Sequence, residues 1–238
     1  MFNSNIYKKK LAILIDPDNT NFGSMELLVE KSNKLKVDYF FVGGSLVSNS
    51  VEELVVQIKK RSDIPVVLFP GNPNQFTEKA DAILFLSLIS GRNPEYLISN
   101  QVISSIRIKK SGIQVLPTGY ILIENGQTTS VEYISNTSPI PKNKPEIVVA
   151  TAVAGELLGM STIYLEAGSG AKEPISCETI EIVKENINST LIVGGGIRTQ
   201  EQLNNIYKSG TDIAVIGTSI EVNVNLLNKF VETRNSFN

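Results

Sequence analysis

Three glycine-rich stretches in the last third of the chain carry the plainest chemical signal: Tyr164-Leu165-Glu166-Ala167-Gly168-Ser169-Gly170, Gly194-Gly195-Gly196-Ile197-Arg198 and Gly217-Thr218-Ser219. Glycine lets a backbone approach a ligand closely, and successive free N–H groups with a helix start behind them suit a phosphate. One such turn would mean little, because left-handed turns and close packing also need glycine. Three in succession point to phosphate binding. Near the N-terminus, Asp16-Pro17-Asp18 offers carboxylates for an oxygen-bound cation, for which Mg²⁺ is the natural choice beside a phosphate. Ser45, after Gly43-Gly44, offers a hydroxyl for the same ion. Asp-Pro-Asp is equally a capped loop, the role that suits Asp18 better. Glu166 can bind or deprotonate an alcohol, and Tyr164, two residues earlier, shares its direction on a strand. The structural alternative pairs Glu166 with Arg198 or Lys172.

Absences narrow the chemistry further. The 238 residues contain no histidine, which removes Ser-His-Asp and Cys-His triads, HExxH metal sites and imidazole acid–base catalysis. A single cysteine, Cys177, makes no internal disulfide and fits a reducing cytosol, so a cytoplasmic location is expected. Lys and Arg number 22 against 24 Asp and Glu, a net charge of −2, which gives no reason to expect nucleic acid as a partner. Lys8-Lys9-Lys10 precede only a short apolar run, Leu11 to Ile15. A leader peptide needs about 7–15 apolar residues and a spanning helix about 20, so neither is expected. Transient work at a membrane surface stays open.

These groups need elements that bring them together. Eight short runs rich in β-branched and aromatic residues read as strands buried on both faces: Leu11–Ile15, Asp38–Val42, Pro65–Phe69, Ala82–Ser87, Gln114–Ile123, Thr162–Glu166, Leu191–Val193 and Asp212–Ile216. Helical spacing lies between them. Ser24 is a candidate N-cap before Met25, Leu28, Val29 and Leu35; Asn93-Pro94 starts a helix; Thr199 with Gln202 fits a capping box before Leu203, Ile206 and Tyr207. This alternation predicts an α/β fold, a (β/α)₈ TIM barrel forming one phosphate-binding domain over 1–238, with a doubly wound open sheet as competitor. Gly71-Asn72-Pro73-Asn74-Gln75 leaves the third helix irregular or missing. Over 121–145, Asn125-Gly126 between Ile121–Ile123 and Val131–Ile134 signals a hairpin, read as a decorative loop, a lid or a subunit contact, with a helix from about Glu146. In a barrel, the residues after each strand form the active site, which is where every candidate above stands. Phe69-Pro70-Gly71, Leu86, Leu88, Tyr96 and Tyr120 give that mouth an apolar side, either ordinary core or a groove for a long hydrocarbon.

The chain resembles the geranylgeranylglyceryl phosphate synthase family, which includes bacterial heptaprenylglyceryl phosphate synthases. The likeness is carried by Leu14-Ile15-Asp16-Pro17-Asp18, Val42-Gly43-Gly44-Ser45, Leu68-Phe69-Pro70-Gly71-Asn72-Pro73-Asn74-Gln75, Ala80 to Ser87, Pro117-Thr118-Gly119-Tyr120, Tyr164 to Ala171 and Val193 to Arg198, in order across nearly the whole chain. The resemblance implies a Mg²⁺-dependent prenyltransferase in which the 3-hydroxyl of sn-glycerol 1-phosphate attacks C1 of a polyprenyl diphosphate, most naturally geranylgeranyl diphosphate. Carried over by motif, Asp16 and Ser45 hold Mg²⁺; Tyr164, Leu165, Glu166, Ala167, Gly168, Ser169, Gly170, Gly195, Gly196, Gly217 and Thr218 hold the glycerol phosphate. Glu166 and Tyr164 serve the chemistry, and Tyr96 and Tyr120 line the prenyl groove. The resemblance also implies a homo-oligomer. Two departures stand out: Leu14 replaces a lysine common in the family, as in its second group, and Thr218 replaces a frequent asparagine. The rivals are an isomerase or lyase barrel with paired acid and base, for which the fifth strand offers Thr118 and Tyr120 instead of a carboxylate, and a non-enzymatic phosphate binder.

Overall fold

A computed structural model describes residues 8–238; the first seven residues of the expected 1–238 domain lie outside the described residues. Eight parallel strands close on themselves in sequence order: β1 (Lys10–Ile15), β2 (Tyr39–Val42), β3 (Val66–Leu68), β4 (Ala82–Leu88), β5 (Gln114–Leu122), β6 (Thr162–Glu166), β7 (Thr190–Gly194) and β8 (Ile213–Ile216). The expected barrel is therefore observed and the open sheet is not. All eight runs read from the sequence are strands, with ends displaced by at most two residues. Closure runs through β1 and β8, where Ile13 sits opposite Ile216. Period-two alternation divides the apolar residues into two layers. Phe41, Val67, Leu84, Tyr164, Ile192 and Val215 fill the barrel interior, while Phe40, Val66, Ile83, Leu165 and Val193 pack outward against the helices.

The helices are α1 (Phe22–Leu35), α2 (Val51–Lys59), α3 (Asn100–Ser111), α4 (Ser130–Ser135), α5 (Pro145–Leu157), α6 (Cys177–Asn186), α7 (Gln200–Lys208), α8 (Thr218–Val222) and α9 (Leu226–Asn235). The Thr199–Gln202 capping box is present at α7, burying Leu203, Ile206 and Tyr207 as expected. The α1 cap is Asn21, whose side chain accepts the Ser24 N–H, so Ser24 lies inside the helix. Asn93 starts its helix by accepting the Glu95 N–H at 3.1 Å, but the first turn is a wide π-helical one, Glu95–Ser99, before α3. Gln101 on α3 donates to the carbonyls of Leu86 and Tyr96, fixing that wide turn against the end of β4.

The third helix is missing. Only a 3₁₀ turn, Pro73–Gln75, joins β3 to β4. Gln75 from this turn is buried; its Oε1 accepts the N–H groups of Gly44 and Gly71, and its Nε2 donates to the Gly44 carbonyl at 2.7 Å. The loops after β2 and β3 are thereby tied together at the barrel mouth. The expected hairpin after β5 does not form. Thr129 and Glu132 make a reciprocal capping box instead, and Val131–Ile134 becomes part of α4. Two satisfied backbone donors outweigh the strand preference of the β-branched residues there. At the opposite end of the barrel, Asp38 accepts the Leu11 N–H and pairs with Lys10 and Arg234, anchoring α9 beneath the sheet.

Candidate active site

The strands and loops enclose one cavity of about 310 Å³ at their C-terminal ends. All three glycine-rich turns converge on one wall: Ser169, Gly170, Gly195, Gly196, Gly217 and Thr218 all line it. Their convergence follows from register, since Glu166 at the end of β6 lies opposite Gly194 of β7, and β8 stands next to β7. Gly195 has φ +86°, and a Cβ there would stand 2.6 Å from Glu166 Oε1 and 2.9 Å from the Gly168 nitrogen. Arg198 donates to the carbonyls of Gly170 and Ala171 at 3.2 and 2.9 Å, which holds the turn after β6 against the turn after β7.

Tyr164 and Glu166 point into the cavity, as alternation requires, and Leu165 between them faces the helix layer. Leu165 therefore brings only backbone near the site, and the alternation was enough to show it. Ala167 and Gly168 are not part of the cavity wall; the Gly168 N–H is already given to Glu166 Oε1 at 2.6 Å. Glu166 is 6% exposed. Burial pushes its carboxyl up to about 7, opposed by the Gly168 N–H and then by the hydroxyls of Tyr164 and Tyr120. Burial likewise drives both tyrosines well above their ordinary range, with the Glu166 charge adding to it. The Tyr164 hydroxyl is buried without a hydrogen-bond partner of normal geometry. Neither Arg198 nor Lys172 forms an ion pair with Glu166 among the described residues, so the structural alternative fails.

Asp16 and Ser45 line the cavity from the loops after β1 and β2. Asp16 accepts the Asp18 N–H at 2.9 Å and the Asn19 side-chain amide at 3.3 Å, and burial raises its carboxyl. Asp18 does the capped-loop work: its carboxylate accepts the N–H groups of Ser48 and Asn49, which holds it below the usual carboxylate range. The third side of the cavity is apolar. Phe69 stacks on Tyr164 with centroids 5.2 Å apart, and Tyr120 leans against both rings. Tyr120 thus belongs to the polar end, beside Glu166, rather than to the groove proper. Beyond them, Leu84 and Leu88 face inward while Ile83 and Phe85 face the helix layer, yet all four line the cavity. The cavity leaves the barrel through the gap where a third helix would pack. Tyr96 stands at its far side, its hydroxyl 3.4 Å from the Ile134 carbonyl of α4. Val131 and Ile134 line the cavity too, so the segment over 121–145 is a wall of the site.

Comparison with known proteins agrees with this fold. The PcrB family model matches residues 4–234. The chain belongs to the PcrB family. A geranylgeranylglyceryl phosphate synthase of Chitinophaga pinensis is 49% identical over 225 residues, 94% of this chain and 89% of that one. Another of that name, from Flavobacterium johnsoniae, is 47% identical over 215 residues, 90% and 88% of the two chains. In structure, the (S)-3-O-geranylgeranylglyceryl phosphate synthase of Thermoplasma acidophilum, solved with its substrate sn-glycerol-1-phosphate, superposes with a TM-score of 0.90 at 30% identity, covering 96% and 94%. The expected enzyme class, a prenyltransferase of the geranylgeranylglyceryl phosphate synthase type, is borne out.

The chemistry of the residues beside Asp16 fits a hard divalent cation. The donors there are all oxygens, and Gly44 keeps the space before Asp16 clear, since a Cβ there would come within 3.0 Å of Oδ2. No cluster of three His, Cys, Asp or Glu side chains closes on a metal among the described residues, so substrate oxygens would have to complete the coordination. Sequence reasoning missed Glu221, which lines the cavity from α8 together with Ser219 of the third glycine-rich stretch. It follows the last strand by less than two turns, and only closure of β8 onto β1 reveals where it stands.

Proposed function

We propose that this protein joins a polyprenyl diphosphate, geranylgeranyl diphosphate for choice, to the 3-hydroxyl of sn-glycerol 1-phosphate. The observation that carries the reading is the position of Glu166: a buried carboxyl near pH 7 standing between a glycine-rich phosphate wall and an apolar groove. That is where an alcohol must lose its proton as it meets the reactive end of a hydrocarbon chain.

The phosphate of the glycerol substrate rests on the turns after β6, β7 and β8, which orients its free hydroxyls toward Glu166. The prenyl chain lies in the groove past Phe69 and Leu88, with Tyr96 and Ile134 at its far side. The C3 oxygen forms a bond to C1 of the prenyl group, the C1–oxygen bond to diphosphate breaks, and the C3 hydroxyl proton passes to Glu166. An ether and free diphosphate result. Asp16 and Ser45 would hold Mg²⁺, which when bound neutralises charge on the departing diphosphate. Orientation of two substrates in a largely dry cleft supplies the rest of the acceleration. The proposal extends to a homo-oligomer that works in the cytoplasm and touches a membrane surface in passing. No helix of the described residues is long and apolar enough to cross a membrane. Exposed Ile98, Val102 and Ile103, together with Leu157 at 82% exposure, support contacts of that kind. Incubation with sn-glycerol 1-phosphate, Mg²⁺ and prenyl diphosphates from farnesyl to heptaprenyl tests the reading. A prenylglyceryl phosphate is expected, best from the geranylgeranyl donor, and no product with any donor contradicts it.

A further inference from the structure

Charge along the cavity is lopsided. Its wall carries three carboxylates, Asp16, Glu166 and Glu221, and a single basic side chain, Arg198. The proposed reaction brings a phosphate and a diphosphate into this space. Arg198 is committed to the carbonyls of Gly170 and Ala171, on the glycerol phosphate side. Further round the barrel, past the closure of β8 on β1, no lysine or arginine lines the wall among the described residues. Two carboxylates stand at that closure instead. Asp16 comes from the β1 loop and Glu221 from α8, just past the ends of two paired strands in which Ile13 lies opposite Ile216. On α8 this wall presents the Glu221 carboxylate without an ion pair and the buried Ser219 hydroxyl without a hydrogen-bond partner among the described residues.

We propose that Glu221 is a second carboxylate ligand of the divalent cation, opposite Asp16, so that metal binding at this end replaces the basic side chains a diphosphate would otherwise need. The inference rests on the Mg²⁺ reading of Asp16 and Ser45. Mg²⁺ is commonly held by one or two carboxylates and completed by substrate phosphates and water. With two, the free enzyme takes up metal before the diphosphate arrives, and the diphosphate then meets a positive centre rather than two negative ones.

The test is Mn²⁺, used as a paramagnetic stand-in for Mg²⁺ and titrated by electron paramagnetic resonance into the full-length protein, alone and with inorganic diphosphate. Wild type is expected to bind Mn²⁺ without diphosphate and more tightly with it. Glu221→Gln and Asp16→Asn should each weaken binding by about tenfold or more, and Glu221→Asp, which keeps the charge but withdraws the oxygen, should weaken it too. Thermal melting of each variant shows whether it is folded. Wild-type affinity in Glu221→Gln beside a weakened Asp16→Asn overturns the role of Glu221 and leaves that of Asp16 standing. Wild-type affinity in Glu221→Asp reduces Glu221 to a distant charge and overturns ligation. No Mn²⁺ binding by wild type, even with diphosphate, overturns this inference and the Mg²⁺ reading together.

Discussion

Glu166→Gln separates the catalytic demand on this site from its structural cost, because the two move in opposite directions. The carboxyl is buried, with an ordinary value of 4.5 pushed up to about 7. That displacement corresponds to a preference of about 3 kcal/mol for the neutral form in the folded protein. The folded state holds the proton more tightly than the unfolded chain, so this contribution to stability is whole below pH 4.5 and is lost as pH rises to about 7. At pH 8 the ionised carboxylate is a net burden, relieved only in part by the Gly168 N–H at 2.6 Å. Glutamine keeps an acceptor for that N–H and carries no charge. Glu166→Gln is therefore expected to match wild type in stability near pH 4 and to exceed it by up to about 3 kcal/mol at pH 8, measured by urea denaturation. Activity should go the other way. A base must be ionised, so kcat/KM of wild type should rise with pH and level off above about 7, while the variant loses this limb and about a hundredfold or more in kcat. Loss of the limb in the variant distinguishes Glu166 from titration of the substrate's own phosphate. A variant with wild-type kcat and only a raised KM for sn-glycerol 1-phosphate would make Glu166 a hydroxyl binder. A variant no more stable at pH 8 than at pH 4, relative to wild type, would refute the argument from burial.

Other substitutions probe the remaining walls. Asp16→Asn should abolish Mg²⁺-dependent turnover without altering the circular dichroism spectrum; full activity would remove Asp16 from the metal site. Gly195→Ala places a methyl group against Glu166 Oε1 and the Gly168 nitrogen on a backbone at φ +86°, costing about 1–3 kcal/mol, and should raise KM for glycerol phosphate more than tenfold in steady-state assays. Tyr96→Ala removes the ring at the far side of the groove and its contact to Ile134, so the preferred donor should shift to longer chains; an unchanged product profile across a donor series would exclude Tyr96 as the stop.

The barrel was legible because strands buried on both faces leave continuous β-branched runs, and β6 was located to the residue. The polar site was legible for a related reason: glycine-rich turns directly after such runs must lie at the mouth of a closed barrel. Where reading failed, local signals competed. Asn125-Gly126 and the β-branched residues after it spelled a hairpin, but Thr129 and Glu132 spelled a capping box in the same few residues, and the helix won. Ser24 was read as the cap of α1, but Asn21, three residues earlier, does the capping. Leu165 was included with its neighbours because the motif was carried over whole, although alternation already turned it outward. Glu221 had no local signal at all. Its place beside Asp16 depends on closure between the first and last strands, a contact between the two ends of the chain.

Oxygen-18 in the 3-hydroxyl of sn-glycerol 1-phosphate tests the central claim most directly. The labelled substrate would be incubated with Mg²⁺ and geranylgeranyl diphosphate, and both products read by mass spectrometry. The account predicts a prenylglyceryl phosphate that retains the label in its ether oxygen, with unlabelled diphosphate released in equal amount. Ether without the label, label in the diphosphate, or no ether at all from a folded and Mg²⁺-supplied enzyme would contradict it.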